Sequence, residues 1–247
     1  MILVEHEYQR YDRQIALKCV DIEGQERLKA TRILVIGAGG LGCAAAPYLA
    51  SSGVGHITVS DFDKVELSNL HRQTCFTEGD IGSYKSEAMC ARMLANNSHI
   101  SCTPITSKQS SQQLTEAILE HDLVLDCTDN KPTRELINEI CWQQKTLLIS
   151  GSAIRTEGQI GVFTANKGEA CYQCISSQFS AATPSCVMSG ILPPVVGIIG
   201  LTQALIAIKS VIVPSSVATN AFHYFDGLSM EWFKFKVNPS PDCETCG

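Results

Sequence analysis

Apolar and polar positions follow two rhythms along this chain, and the rhythm changes once. Residues 5–31 carry two helical patterns, one around residues 8–17 and one around residues 23–30. The apolar run RILVIG at residues 32–37 then reads as a buried strand. A glycine turn and a helix of small residues follow, to about Ser52. Strands at 56–60, 101–106, 123–126 and 146–150 alternate with helices at 84–96, 111–120 and 131–143. That alternation predicts a parallel sheet covered on both faces. After residue 150 the reading changes: residues 159–164 (QIGVFT) and 221–237 look like antiparallel strands. Between them lie a polar loop, 175–189, and an apolar helix after Pro194. No repeat or low-complexity segment interrupts the pattern.

Composition narrows the class. With 247 residues, 45% of them hydrophobic, the chain can bury one large core. The formal net charge of −6 argues against a nucleic-acid binder, which carries a basic surplus. The start, MILVEHEYQRYDRQ, has no basic segment leading into an apolar run, so no signal peptide is expected. The most apolar stretch, 190–208, contains Pro193, Pro194, Gly197, Gly200 and Gln203. A membrane span needs roughly 20 predominantly apolar residues, and this stretch reads instead as a core helix or an oligomer interface. The expectation is a cytoplasmic protein with neither a membrane nor a nucleic acid as partner.

Gly37, Gly39 and Gly42 form G-x-G-x-x-G, with Gly40 between them, after a strand and at a helix start. Glycine is needed where the backbone turns tightly and approaches a phosphate. The helix N-terminus then offers unpaired N–H groups to an anion. Asp61, at the end of the next strand, can accept both hydroxyls of a ribose. This predicts a Rossmann-like, doubly wound, mainly parallel α/β sheet extended by C-terminal antiparallel strands. The whole of 1–247 reads as one domain: N-terminal helices in 1–31, a nucleotide-binding core in 32–150, and in 151–247 the sheet extension with a crossover loop.

Further residues bear on which nucleotide binds. Asp63 follows Asp61; then come Asn69, Arg72 and Gln73 in LSNLHRQ, and Lys85 at a helix start. Asp126, Asp129 and Asn130 lie in DCTDN at the end of the fourth strand. Strand C-termini of a doubly wound sheet line one crevice, so these groups can converge. Arg72 and Lys85 can neutralise phosphoryl oxygens, and Asp129 can hold Mg2+ beside a triphosphate. A nicotinamide-dependent oxidoreductase is the rival reading; it gives Lys85 no use.

Twelve cysteines are many for a cytoplasmic chain. Cys171-x-x-Cys174 and Cys243-x-x-Cys246 suit a tetrahedral four-thiolate zinc site, closed and therefore structural. Neither pair is expected to open a helix after a strand, which argues against a dithiol redox role. Cys19, Cys43, Cys75, Cys90, Cys102, Cys127 and Cys141 read as small buried hydrophobes. Cys186, in the polar loop, is the exception, because a loop thiol can be reactive.

The segments YDRQ, GAGGLG, SDFDKVELSNLHRQ, LVLDCTDN, GSAIRTEGQI, CYQC and CETCG, in this order, resemble the ThiF/MoeB/HesA family, relatives of ubiquitin-activating enzymes. The likeness runs from about Tyr8 to Gly247. It implies ATP-dependent adenylation of the C-terminal glycine of a ubiquitin-like sulfur-carrier protein ending in Gly-Gly, in molybdopterin or thiamine synthesis. It further implies that Arg13 is an arginine finger reaching the ATP of the neighbouring subunit in a homodimer. By the same likeness Asp61 binds ribose, Asn69, Arg72 and Lys85 contact phosphates, Asp129 holds magnesium, and the zinc is structural. Cys186 matches a cysteine that some members use for a covalent link to the carrier. With no length left for a fused rhodanese domain, the sulfur donor is expected to be a separate protein, a cysteine desulfurase or rhodanese. A related adenylating enzyme acting on tRNA and a non-catalytic zinc-stapled module are the remaining alternatives.

Overall fold

The computed structural model describes residues 2–178 and 190–247. Among these residues one sheet contains eight strands: β1 (Arg32–Ile36), β2 (His56–Ser60), β3 (Ser101–Ile105), β4 (Leu123–Asp126), β5 (Leu147–Ile154), β6 (Glu157–Phe163), β7 (Ala221–Asp226) and β8 (Glu231–Lys236). Their spatial order is β3-β2-β1-β4-β5-β6-β7-β8. The pairings from β3 to β5 are parallel, and those from β5 to β8 are antiparallel. Pro104 sits in β3, an edge strand, where a missing N–H is tolerated.

Among the described residues the α-helices are α1 (Glu5–Ile15), α2 (Asp21–Ala30), α3 (Gly40–Ser51), α4 (Lys85–Asn96), α5 (Ser111–Leu119), α6 (Lys131–Gln144), α7 (Tyr172–Ser176) and α8 (Pro193–Ile212). Period-2 geometry sends alternate β1 side chains to opposite faces. Ile33 and Val35 join Leu125 and Val59 in a core with Leu49 of α3, Met89 of α4 and Ile199 of α8. Leu34 and Ile36 join Val124 and Leu148 in a second core with Ile118 of α5 and Ile137 of α6. The central strands β1 and β4 are therefore buried on both sides, which is why they read as apolar runs rather than alternations, whereas the edge strand β3 has no buried residue.

By length and composition α8 could cross a membrane. Here it lies across the sheet, against α3 and β5, burying Val195, Val196, Ile199, Ala204 and Ala207. Gly200 permits that approach, since an added Cβ would meet Ala44 of α3 at 2.8 Å. Gln203, fully buried, donates from Nε2 to the carbonyls of Asp126 (2.9 Å) and Ile149 (3.2 Å). It ties the helix to the end of β4 and to the interior of β5.

Three expectations need correction. Ile175 and Ser176 do not belong to a loop; they close α7. Cys171 is the N-cap of α7, so one cysteine pair does open a short helix. Among the scattered cysteines, Cys43, Cys75, Cys127 and Cys141 are buried, but Cys19 is exposed. Cys90 of α4 and Cys102 of β3 are joined as a disulfide. Spacing alone carries no sign of that pairing, because it depends on α4 packing beside β3.

Gln203→Leu keeps the apolar face but removes the amide donor that the two buried carbonyls share. It should lower unfolding free energy by about 2 kcal/mol in urea titration.

Candidate functional site

The site begins where β1 ends. Gly37 adopts φ +98°, and its N–H donates to Ser60 O at 2.9 Å. A Cβ there would lie 2.7 Å from Cys127 O, so β4 also closes on this turn. Gly39 is the N-cap of α3 and supplies no capping side chain. The first N–H groups of α3 are thus left for an anion. Gly42 fits because the helix there passes directly over the Gly37 carbonyl, and Gly40 faces Val196 of α8.

Asp61 follows β2. Its Oδ2 accepts the Ala38 N–H (2.7 Å) and its Oδ1 accepts the Asp63 N–H (2.8 Å). Each oxygen keeps a lone pair for a further donor. Burial pushes the Asp61 carboxyl above the usual range, partly offset by those two N–H groups and by Lys85. The sign follows: raising pH through that higher value removes stability, since the folded chain holds the proton more tightly than the unfolded chain.

Lys85 opens α4, where the helix dipole disfavours a cation. It is buried all the same, and Asp63 holds it twice: Lys85 N donates to Asp63 O, and Lys85 Nζ donates to Asp63 Oδ2, both at 2.9 Å. A cation placed against its helix dipole, with donors to spare, suits an anionic ligand.

The 3-10 turn Leu67–Asn69 forms the third side. Asn69 is buried and spends Oδ1 on Glu66 N (3.2 Å). Half-buried Arg72 donates Nη1 to Ser68 O (3.1 Å), and its own carbonyl lies 3.4 Å from the Cβ position of Gly40. Gln73 is 2% exposed and its Oε1 has no partner among the described residues. Its Nε2 is 4.0 Å from the Cβ position of Gly39. An orphaned buried amide beside an uncapped helix start fits a bound nucleotide.

The fourth side is the turn after β4. Asp129 is exposed. Asn130 caps α6 by accepting Thr133 N (3.0 Å), with Nδ2 3.4 Å from Asp129 Oδ1. Its oxygen is therefore occupied by the helix. Arg13 is not brought to this crevice: its side chain is fully exposed on α1, beside Asp12 at 3.8 Å. Cys186 lies outside the described residues. Arg134, buried next to the Asp129 turn, was not singled out by the sequence. The signal was present, because position 134 shares the buried stripe of α6 with Ile137, Asn138 and Cys141.

A second constellation stands apart. The sulfurs of Cys171, Cys174, Cys243 and Cys246 all lie within 4.8 Å of one another, with Cys171–Cys243 at 3.6 Å and Cys174–Cys246 at 3.4 Å. Thiolates about 2.3 Å from a tetrahedral ion would stand at comparable separations. Ser240 N–H points at Cys174 Sγ (3.4 Å). The convergence of four sulfurs, rather than the absence of a helix, is what argues for a metal over a dithiol.

Residues 11–245 match the ThiF family. The chain is 44% identical over 245 residues to the molybdopterin-synthase adenylyltransferase of Escherichia coli (strain K12), covering 99% of this chain and 98% of that one. It is 38% identical to the sulfur carrier protein ThiS adenylyltransferase of the same organism, covering 98% and 96%. The crystal structure of E. coli MccB with ATP superposes with a TM-score of 0.82 at 24% identity, over 99% of this chain and 74% of that one. That last likeness speaks for the fold alone.

Gly37 and Gly39 should respond differently to alanine. Gly37→Ala meets both a left-handed φ and the Cys127 carbonyl, and should cost about 3 kcal/mol in urea unfolding. Gly39→Ala, whose Cβ would meet only Gln73 Nε2 at an ordinary 4.0 Å, should cost less than about 1 kcal/mol.

Proposed function

The chain belongs to the ThiF family, and from that premise we propose that it uses ATP to adenylate the C-terminal carboxylate of a small ubiquitin-like sulfur-carrier protein ending in Gly-Gly. The observation that carries this reading is the crevice around one glycine loop. It combines an uncapped helix start, the half-buried acid Asp61, the cation Lys85 held by Asp63, and the exposed carboxylate Asp129. The names of the relatives supply the substrate class, and with it the setting of molybdopterin or thiamine synthesis.

In this reading Gly37, Gly39, Gly40 and Gly42 cradle the phosphates, and Asp61 accepts the ribose hydroxyls. Asn69, Arg72, Gln73 and Lys85 face the phosphate chain. Asp129 would hold Mg2+, which supplies positive charge to phosphoryl oxygens when bound. The carrier's carboxylate oxygen attacks the α-phosphorus; the bond to the β-phosphate oxygen breaks, and pyrophosphate leaves with that electron pair. A carboxylate is already ionised at neutral pH, so no general base is required. Arg72 and Lys85 stabilise charge as it builds on the phosphoryl oxygens. The acyl-adenylate then awaits a sulfur nucleophile from a separate donor, a cysteine desulfurase or a rhodanese.

Arg13 completes the site from a second copy. Its fully exposed side chain supports this, as does the apolar surface left by Tyr48, Leu201 and Leu205, which are 60%, 38% and 58% exposed. The four cysteines would hold zinc as a structural clip between residues 243–246 and α7.

ATP–pyrophosphate exchange with purified protein and Mg2+ should appear only with a carrier, tried from the molybdopterin and thiamine systems separately. Exchange with neither, together with tight NAD(P) binding, would reverse the reading. Arg13→Ala and Asp129→Ala should each lower exchange at least about 100-fold. Their mixture should regain activity through hybrid dimers once subunits exchange; no recovery despite verified exchange would count against a shared site.

A further inference from the structure

We propose that Arg134 is a positioning residue: together with buried Asp126 it locks the 126–130 turn, so that Asp129 is presented to the crevice in one orientation. The inference rests on the adenylation reading, in which Asp129 holds the metal.

Asp126 is fully buried. Its Oδ1 accepts Thr128 N (3.0 Å) and Thr128 Oγ1 (2.7 Å), and its Oδ2 accepts Ser150 Oγ (2.7 Å). This acid is spent inward, on the backbone and hydroxyl of the turn and on β5. From the other side Arg134 donates Nη2 to the Thr128 carbonyl. Residue 128 is thereby gripped through its N–H, its hydroxyl and its carbonyl. Asn130 fixes the next residue but one by capping α6. Asp129 is the residue between these two anchors, and its side chain is left to solvent.

An apolar side chain would fill position 134 at lower cost. A guanidinium is seldom buried without pairing, and here its Nε has no partner among the described residues. A single carboxylate that shares a hard cation with phosphates has few ligands to define its direction. Outer groups that orient such a ligand typically change metal affinity by about 10- to 100-fold when removed. A role confined to packing would instead change stability and leave the metal dependence alone.

The test uses the full chain with Arg134→Met, Arg134→Lys and Thr128→Val, the last loosening the same turn from the Asp126 side. Two quantities are measured: binding of Mn2+–ATP by electron paramagnetic resonance without carrier, and the Mg2+ concentration for half-maximal exchange with carrier. Arg134→Met and Thr128→Val should weaken both about tenfold, with Arg134→Lys between them and the wild type. Should Arg134→Met not fold, the other two variants decide. Unaltered Mn2+–ATP affinity in every folded variant, or none in the wild type, would overturn the proposal. Weakened Mn2+–ATP binding with no carrier supporting exchange would retain the positioning role and remove the adenylation reading.

Discussion

Parallel pairing of β1 with both β2 and β4 sets the geometry of everything at the crevice. Three strands running the same way must end at the same edge. Ile36, Ser60 and Asp126 are those ends, and the chain leaves them as the glycine loop, the Asp61 turn and the Asp129 turn. Nothing else in the fold needs to steer these segments toward one another. Their polar backbone groups are satisfied across the edge: Gly37 N by Ser60 O, Ala38 N by Asp61, Cys127 N by Ile36 O. The binding surface and the sheet's own termination are thus one network of hydrogen bonds.

How far the sequence shows this depends on whether a property is local. The central strands are legible where burial on both faces leaves no polar positions inside them, as in ILVI at 33–36. The glycine loop is legible because φ at Gly37 admits few other residues. The four-sulfur cluster is legible because two C-x-x-C pairs have little other use together. Arg13 is legible only through resemblance; on its own helix it is one more exposed charge. What the sequence hides is pairing across elements. Cys90 and Cys102 lie on a helix and a strand whose contact no spacing records. Gln203 looks like a blemish in an apolar helix until the carbonyls of Asp126 and Ile149 are seen beneath it. Asn130 neighbours Asp129 in the sequence, and only the fold shows that its oxygen also caps α6.

The sheet changes character at β5. On one side of it strands are parallel and polar function gathers at their ends; on the other a meander of antiparallel strands runs out to β8, whose residues are all exposed. α8 bridges the two halves, touching β5 and β6 as well as α3. Its Gln203 anchors at the last point where the parallel order holds, so the helix is keyed to the nucleotide half while covering the start of the other.

The cysteine cluster also acts on a state that the folded structure does not display. Cys171 and Cys243 are 72 positions apart, as are Cys174 and Cys246. A metal joining them closes a long loop in the denatured chain, and the closure model assigns such a cross-link about 4 kcal/mol of lost chain entropy. That loop contains α8, β7 and β8. With an ion in place, an unfolded molecule would have less distance to search before α8 regains the sheet. The clip's largest contribution would then be to the disorder it removes, not to the contacts it makes.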